Sequence, residues 1–243
     1  MAYNKKYSDI IVNRYGDKPN SNMTTTHIIN EVHPYTSYYI STVNLHYSKK
    51  QPKYTNIPDG PNKWINIPNN WDDSINFDTK ESNILGHSGT IYLDDDILNI
   101  PISYNYSFFG IKMYKVGDII QFKDIYTSLP VCNVDIGNNY IKDYIMKKAG
   151  GVYLEYHDRP HFHMPRDRDA HGYIIIGKKH DDKILLAAFK IPYGYALYTP
   201  GNVIHNDCFL VGRYLVVYSK TDFFSNVLLK TKNNTPVQVN IVN

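Results

Sequence analysis

The sequence predicts a mainly β chain of sandwich or barrel type, with at most one or two short helices. Three observations carry that expectation. The composition favours side chains that suit pleated, half-buried surfaces, with 23 Tyr and 9 Phe against 2 Trp. Short apolar runs recur at close spacing, divided by turn signals such as Gly117-Asp118 and Asp181-Asp182. Only "NNYIKDYIMKKAGG" has helical spacing, with Tyr140, Ile141, Tyr144 and Ile145 recurring and Gly150 as a stop.

The elements follow in order. In "SYYISTVNLHYS", Tyr38, Ile40, Thr42 and Asn44 fall on one face and Tyr39, Ser41, Val43 and Leu45 on the other, which is the period of a strand. From Lys49 to Asp78 the chain is dominated by Pro, Asn, Asp and Lys. That length without regular structure predicts an arm, anchored by a buried Trp64 and Trp71 and crossing to a partner subunit in a homodimer. After Ser82 come strands at "GTIYLDD", "ILNIPISYNYSFFGIKMY", "DIIQFKDIY", "GVYLEYH", "HGYIIIGKK", "KILLAAFKI", "YALYTP" and "RYLVVYS". The expected organisation is an N-terminal extension over 1–85, a β-barrel over 86–230 and a C-terminal tail over 231–243.

Composition also excludes partners. A net charge of +3 on 243 residues, with Lys and Arg scattered among acids, gives no basic stripe for nucleic acid. No apolar run reaches the roughly twenty residues of a membrane span. "MAYNKKYSDIIVNRYGDK" lacks the apolar core of a signal peptide. Two cysteines, Cys132 and Cys208, form no disulfide framework, so a cytoplasmic setting is expected. Neither a G-x-S-x-G elbow nor a phosphate-cradling glycine loop is present.

Chemistry concentrates in "YHDRPHFHMPRDRDAHG", which holds four of the ten histidines. In a strand, residues i and i+2 point the same way, so His161 and His163 project two imidazoles from one face. Downstream, "GYALYTPGNVIHND" reads as a strand, a Pro200-Gly201 turn and a histidine, His205, delivered at the start of the next strand.

These two segments resemble the motifs of the cupin superfamily of small β-barrels, over about residues 110 to 220. Five residues separate Gly194 from Pro200, and His205 lies five after the proline, with the motif's glycine displaced by one at Gly201. His161-Phe162-His163 and the strand "YIIIG" ending at Gly177 fit the first motif. The family's glutamate would fall at Ala170, between Asp169 and His171. An alternative first motif starts at Gly151 and reaches His157, with Arg159 in place of its second histidine.

The resemblance implies a jelly-roll barrel (a double-stranded β-helix) in which His161, His163 and His205 ligate a divalent metal, with His171 as a possible fourth ligand. Fe(II) is favoured over Zn, Ni or Mn, and a non-haem iron oxygenase acting on a small polar or anionic molecule is the leading function. Beside it stand a metal-free sugar or nucleotide-sugar isomerase or epimerase, and a non-catalytic sugar-binding or structural barrel. From the residues themselves, Glu155 and His157 share a strand face with Tyr153 and are the candidate catalytic acid/base pair. Arg166 and Arg168, in the charged loop "PRDRDA", with Tyr195 and Tyr198 before the turn, are candidate substrate-binding residues. Asn206 and Asp207 are placed to orient the His205 ring or to cap the turn, and Cys208 reads as a small buried residue.

Overall fold

The structure, a computed structural model, describes residues 11–14, 27–29, 40–44, 60–71, 89–115, 118–123, 129–217 and 224–243. In chain order the strands are β1 (Ile11–Arg14), β2 (His27–Ile29), β3 (Ile40–Asn44), β4 (Ile65–Pro68), β5 (Gly89–Leu93), β6 (Ile97–Pro101), β7 (Lys112–Lys115), β8 (Ile119–Lys123), β9 (Leu129–Ile136) and β10 (Tyr153–His157). They continue with β11 (His161–Pro165), β12 (His171–Gly172), β13 (Ile174–His180), β14 (Lys183–Phe189), β15 (Tyr195–Thr199), β16 (Ile204–Asn206), β17 (Leu210–Val217), β18 (Phe224–Thr231) and β19 (Gln238–Val242).

Two large sheets dominate. The first runs β1-β9-β17-β11-β15-β7, with β2 added on β9 and β12 on β17, and the second runs β4-β14-β13-β16-β10-β18-β5. One is nearly closed and the other a half-barrel, a mainly β arrangement consistent with a jelly roll. Strands β3 and β8 form one small pair, and β6 and β19 another.

Local sequence explains the centre of the second sheet. Asp181 and Asp182 join β13 to β14, with Asp181 at φ 52, the left-handed region that a short Asp side chain tolerates. "III" and "ILLAAF" show no alternation because both faces of these strands are covered, and Ile174 to Ile176 and Leu186 to Phe189 are each 0% exposed. Phe189 packs against Tyr106 and Phe109, each with ring centroids 5.3 Å away. The helical stretch forms a π-helical turn, Tyr140–Ile145, that buries Tyr140, Tyr144 and Ile145. It ends at Ile145, with Met146 as its C-cap, before the expected stop at Gly150, which lies beyond the following turn at φ +88, a conformation that other residues rarely take.

Of the expected arm, residues 60–71 are described and the remainder lies outside the described residues, as does Gly117. The arm contributes β4, which pairs antiparallel with β14. Trp71 is buried: its Nε1 donates to Ser225 Oγ at 2.8 Å and its ring meets Tyr156. Trp64, expected to be buried, is 41% exposed, because the ring it stacks on, Phe108 at 5.1 Å, lies at the edge of the core and is itself only partly buried. Strand β1 joins the first sheet by pairing parallel with β9, and β19 pairs parallel with β6 in the separate small pair. No helix among the described residues is long and apolar enough to cross a membrane.

Candidate metal centre

Strand β10 lies in the second sheet and β11 in the first, and Asp158, Arg159 and Pro160 carry the chain between them. Alternation along β10 turns Tyr153, Glu155 and His157 to one face, and this face looks into the barrel. Tyr153 OH lies 3.4 Å from Asp207 Oδ1, and Glu155 Oε1 lies 3.3 Å from His205 Nε2. His157 Nε2 lies 2.6 Å from His161 Nε2. His205 arrives on β16, the neighbour of β10, where it stands directly opposite Glu155.

The Pro200-Gly201 turn locks this arrangement. Asn202 N donates to the His157 carbonyl at 2.7 Å, and a Cβ on Gly201 would run into the Asp158 carbonyl oxygen. The turn delivering His205 is thus packed on the turn separating His157 from His161. The three rings converge with centroids 4.5 to 5.0 Å apart, and one ring nitrogen from each lies within 4.8 Å of the others. His157, His161 and His205 are 4%, 7% and 2% exposed. This group could hold a metal ion.

Protonation supports that use. His205 Nδ1 lies 2.8 Å from the Val203 carbonyl oxygen. A carbonyl only accepts, so Nδ1 carries the hydrogen and Nε2 of the neutral ring presents its lone pair to the cluster. That Nε2 has no hydrogen-bond partner among the described residues, since Glu155 Oε1 is near it but not aligned. Two lone-pair-bearing atoms that face each other repel unless a proton or another cation lies between them. His157 Nε2 and His161 Nε2 share a hydrogen bond when one of the two carries the hydrogen, and a cation in place of that hydrogen would meet the lone pairs of both.

Burial, and then the neighbouring His205, push His157 down to about 3, so its ring is neutral at ordinary pH and retains a lone pair for coordination. For His205 burial works against the charged form, yet the Glu155 carboxylate and the Val203 carbonyl outweigh it, and the net direction is up. A positive ring is therefore tolerated beside Glu155, as a metal ion would be.

The histidines expected as ligands part company here. His161 and His205 are brought together, but His163 turns away to Asp207, with Nε2 3.3 Å from Oδ2. His171 is exposed, and its Nδ1 donates to the Asp169 carbonyl at 2.7 Å. The third ring is instead His157, the residue reached by the alternative motif from Gly151. Asp207 orients His163 rather than His205, because Arg14 Nη1 holds its Oδ1 at 2.7 Å. Asn206 stitches the turn, donating to the Tyr153 carbonyl at 2.7 Å and accepting from Cys208 N at 2.9 Å. Cys208 is buried, and burial pushes its thiol up.

Among the candidate substrate residues, Tyr195 is buried and shares the strand face of Thr199 and thus of His161. Tyr198 is paired with Phe162 and so lies on the opposite face, where it meets Tyr114 edge-on. Arg166 is half-buried, and Arg168 is exposed with its guanidinium 5.8 Å from the Tyr193 ring. Arg14 carried no sequence signal for the site, since nothing in "IIVNRYG" announces a partner at position 207. No protein-family model, curated protein or solved structure matches the chain.

Proposed function

We propose that the chain is a cupin-like, divalent-metal-dependent enzyme acting on a small anionic or chelating molecule. The observation that carries this reading is the buried His157, His161 and His205 trio, with one ring nitrogen from each within 4.8 Å of the others. Imidazole donors suit Zn, Cu, Fe or Ni, and the cupin resemblance favours Fe(II) and an oxygenase reaction. When bound, the ion supplies Lewis acidity and, as iron, the capacity to react with dioxygen.

The chain's own residues do the rest. His205 is held by Val203 so that Nε2 points at the centre, the outer hydrogen bond that fixes ring orientation in metal sites. Glu155 stands beside Nε2, where its carboxylate can replace the glutamate missing at Ala170. Three neutral rings and one carboxylate leave a net positive charge on a divalent centre, which favours an anionic ligand. Burial of all three rings keeps bulk water from competing.

Metal content tests the reading. Purified protein loaded with Fe(II) or Zn is expected to hold one ion per chain, and His157→Ala and His205→Ala are each expected to lose it, while His171→Ala retains it. Retention of the ion by both His157→Ala and His205→Ala refutes the assignment.

The contact between Glu155 and His205 favours a second reading, a metal-free isomerase using this carboxylate–imidazole pair as base. Activity that survives exhaustive chelation separates it from the first.

A further inference from the structure

Two polar atoms next to the trio are buried and have no hydrogen-bond partner among the described residues: Thr199 Oγ1 and His163 Nδ1. Each residue is 1% exposed. Native proteins satisfy the large majority of such groups, so a pair of them beside a candidate metal centre points to a ligand. Their placement follows from the register of β11 on β15. Thr199 stands directly opposite His161, and the next pair on the same face is His163 opposite Leu197. Both therefore share the strand face that presents His161 to the other two rings.

Their hydrogen-bonding capacity follows from their partners. Asp207 is a carboxylate and only accepts, so His163 Nε2 carries a hydrogen; Nδ1 accepts in the neutral ring and donates in the charged one, and a ligand hydroxyl can meet it either way. The Thr199 hydroxyl donates or accepts. Between and beside them lie apolar side chains, Leu197 on one flank of His163 and Val216 on the other. Diagonal neighbours of this kind lie roughly 7–8 Å apart, with their Cβ atoms somewhat closer, the span of a molecule of a few carbons.

We infer, resting on the metal reading above, that Thr199 Oγ1 and His163 Nδ1 form a subsite that selects a small hydroxylated carboxylate over its deoxy counterpart. The carboxylate faces the metal centre, the carbon chain lies on Leu197 and Val216, and a hydroxyl satisfies Thr199, His163 or both. A deoxy ligand leaves these atoms buried and unpaired, which is the costly outcome for a site of this type.

The test compares lactate with propionate by calorimetric titration of zinc-loaded protein, using the parent, Thr199→Val and Thr199→Ser. Lactate is expected to bind the parent about tenfold or more tightly than propionate, the effect of one well-made hydrogen bond with a charged or polar partner. Thr199→Val is expected to lose most of that preference without change in zinc stoichiometry, and Thr199→Ser to keep it. The ring ¹⁵N signal of His163 Nδ1 is expected to move on addition of lactate and not of propionate. Equal affinity for the two ligands in the parent, or the same preference in Thr199→Val, overturns the subsite. If the chain takes up no zinc, the metal reading has failed, and the same ratio measured on the metal-free protein still decides the subsite.

Discussion

Asp207→Asn should be among the most damaging isosteric changes in the barrel. The carboxylate meets Arg14 Nη1 at 2.7 Å, His163 Nε2 at 3.3 Å and Tyr153 OH at 3.4 Å. The Arg14 and Asp207 side chains are only 9% and 10% exposed, so the surface-pair value of about 0–1 kcal/mol does not apply. Removing one partner of a buried pair costs about 3–5 kcal/mol, chiefly because the other charge stays buried without compensation. Against a typical total of about 5–15 kcal/mol that is a large fraction. Urea denaturation followed by tryptophan fluorescence should show a much lower midpoint at similar slope. Arg14→Met combined with Asp207→Leu should lie nearer the parent than Asp207→Asn does, since neither charge is then stranded. Burial raises the Asp207 carboxyl, but Arg14 and then His163 outweigh it and hold it well below the usual carboxylate range. The stabilisation is therefore fully present above the unfolded carboxyl value of about 3.9 and is lost as pH falls through the lower folded value. A loss below about 1 kcal/mol in Asp207→Asn, or a double variant no more stable than Asp207→Asn, would refute this account of the pair.

Two further outcomes follow from the same geometry. Gly201→Ala should destabilise the protein by about 1–3 kcal/mol, since its methyl meets the Asp158 carbonyl, and should weaken zinc binding because that contact sets the turn between His157 and His161. Unchanged zinc affinity in a destabilised Gly201→Ala would break the link between turn and trio. In metal-free protein followed by histidine NMR, the His157 ring should stay neutral down to about 3, having been shifted from 6.5 by burial and then His205. A His157 that titrates near 6.5 would show that it is not enclosed as described.

The strands that could be read from the sequence were those bounded by turn chemistry. Asp181-Asp182 and Pro200-Gly201 each stand where the structure ends a strand, whereas the helical turn ends at Ile145, short of the expected stop at Gly150. Strands β9 and β18 escaped for opposite reasons. "LPVCNVDI" carries a proline at its second position and alternates only over its last five residues, too short a run to stand out, and "FSNVLLKT" is buried on both faces over Ser225 to Leu229 and does not alternate. At the site, strand period groups Tyr153, Glu155 and His157 on one face, and the Pro200-Gly201 turn leads into the strand that sets His205 opposite Glu155. The choice between His157 and His163 was not local. It rests on Asp207, 44 residues from His163, and on Arg14, 193 residues from Asp207, which together draw the His163 ring out of the cluster. A pair at i and i+2 says which rings share a face but not which of them a distant carboxylate will claim.

The short passage from β10 to β11 has a mechanical consequence. His157 and His205 belong to one sheet and His161 to the other. A cation gripped by all three would act as a rivet across the seam, so that opening the sandwich at this end would require breaking coordination as well as unpacking side chains. Loading would then raise resistance to unfolding in proportion to the logarithm of free metal over its dissociation constant. The same rivet would tie the far end of the chain in: Arg14, through Asp207 and His163, reaches the strand that carries His161, so the hold on the first strand and the hold on the ion share one scaffold.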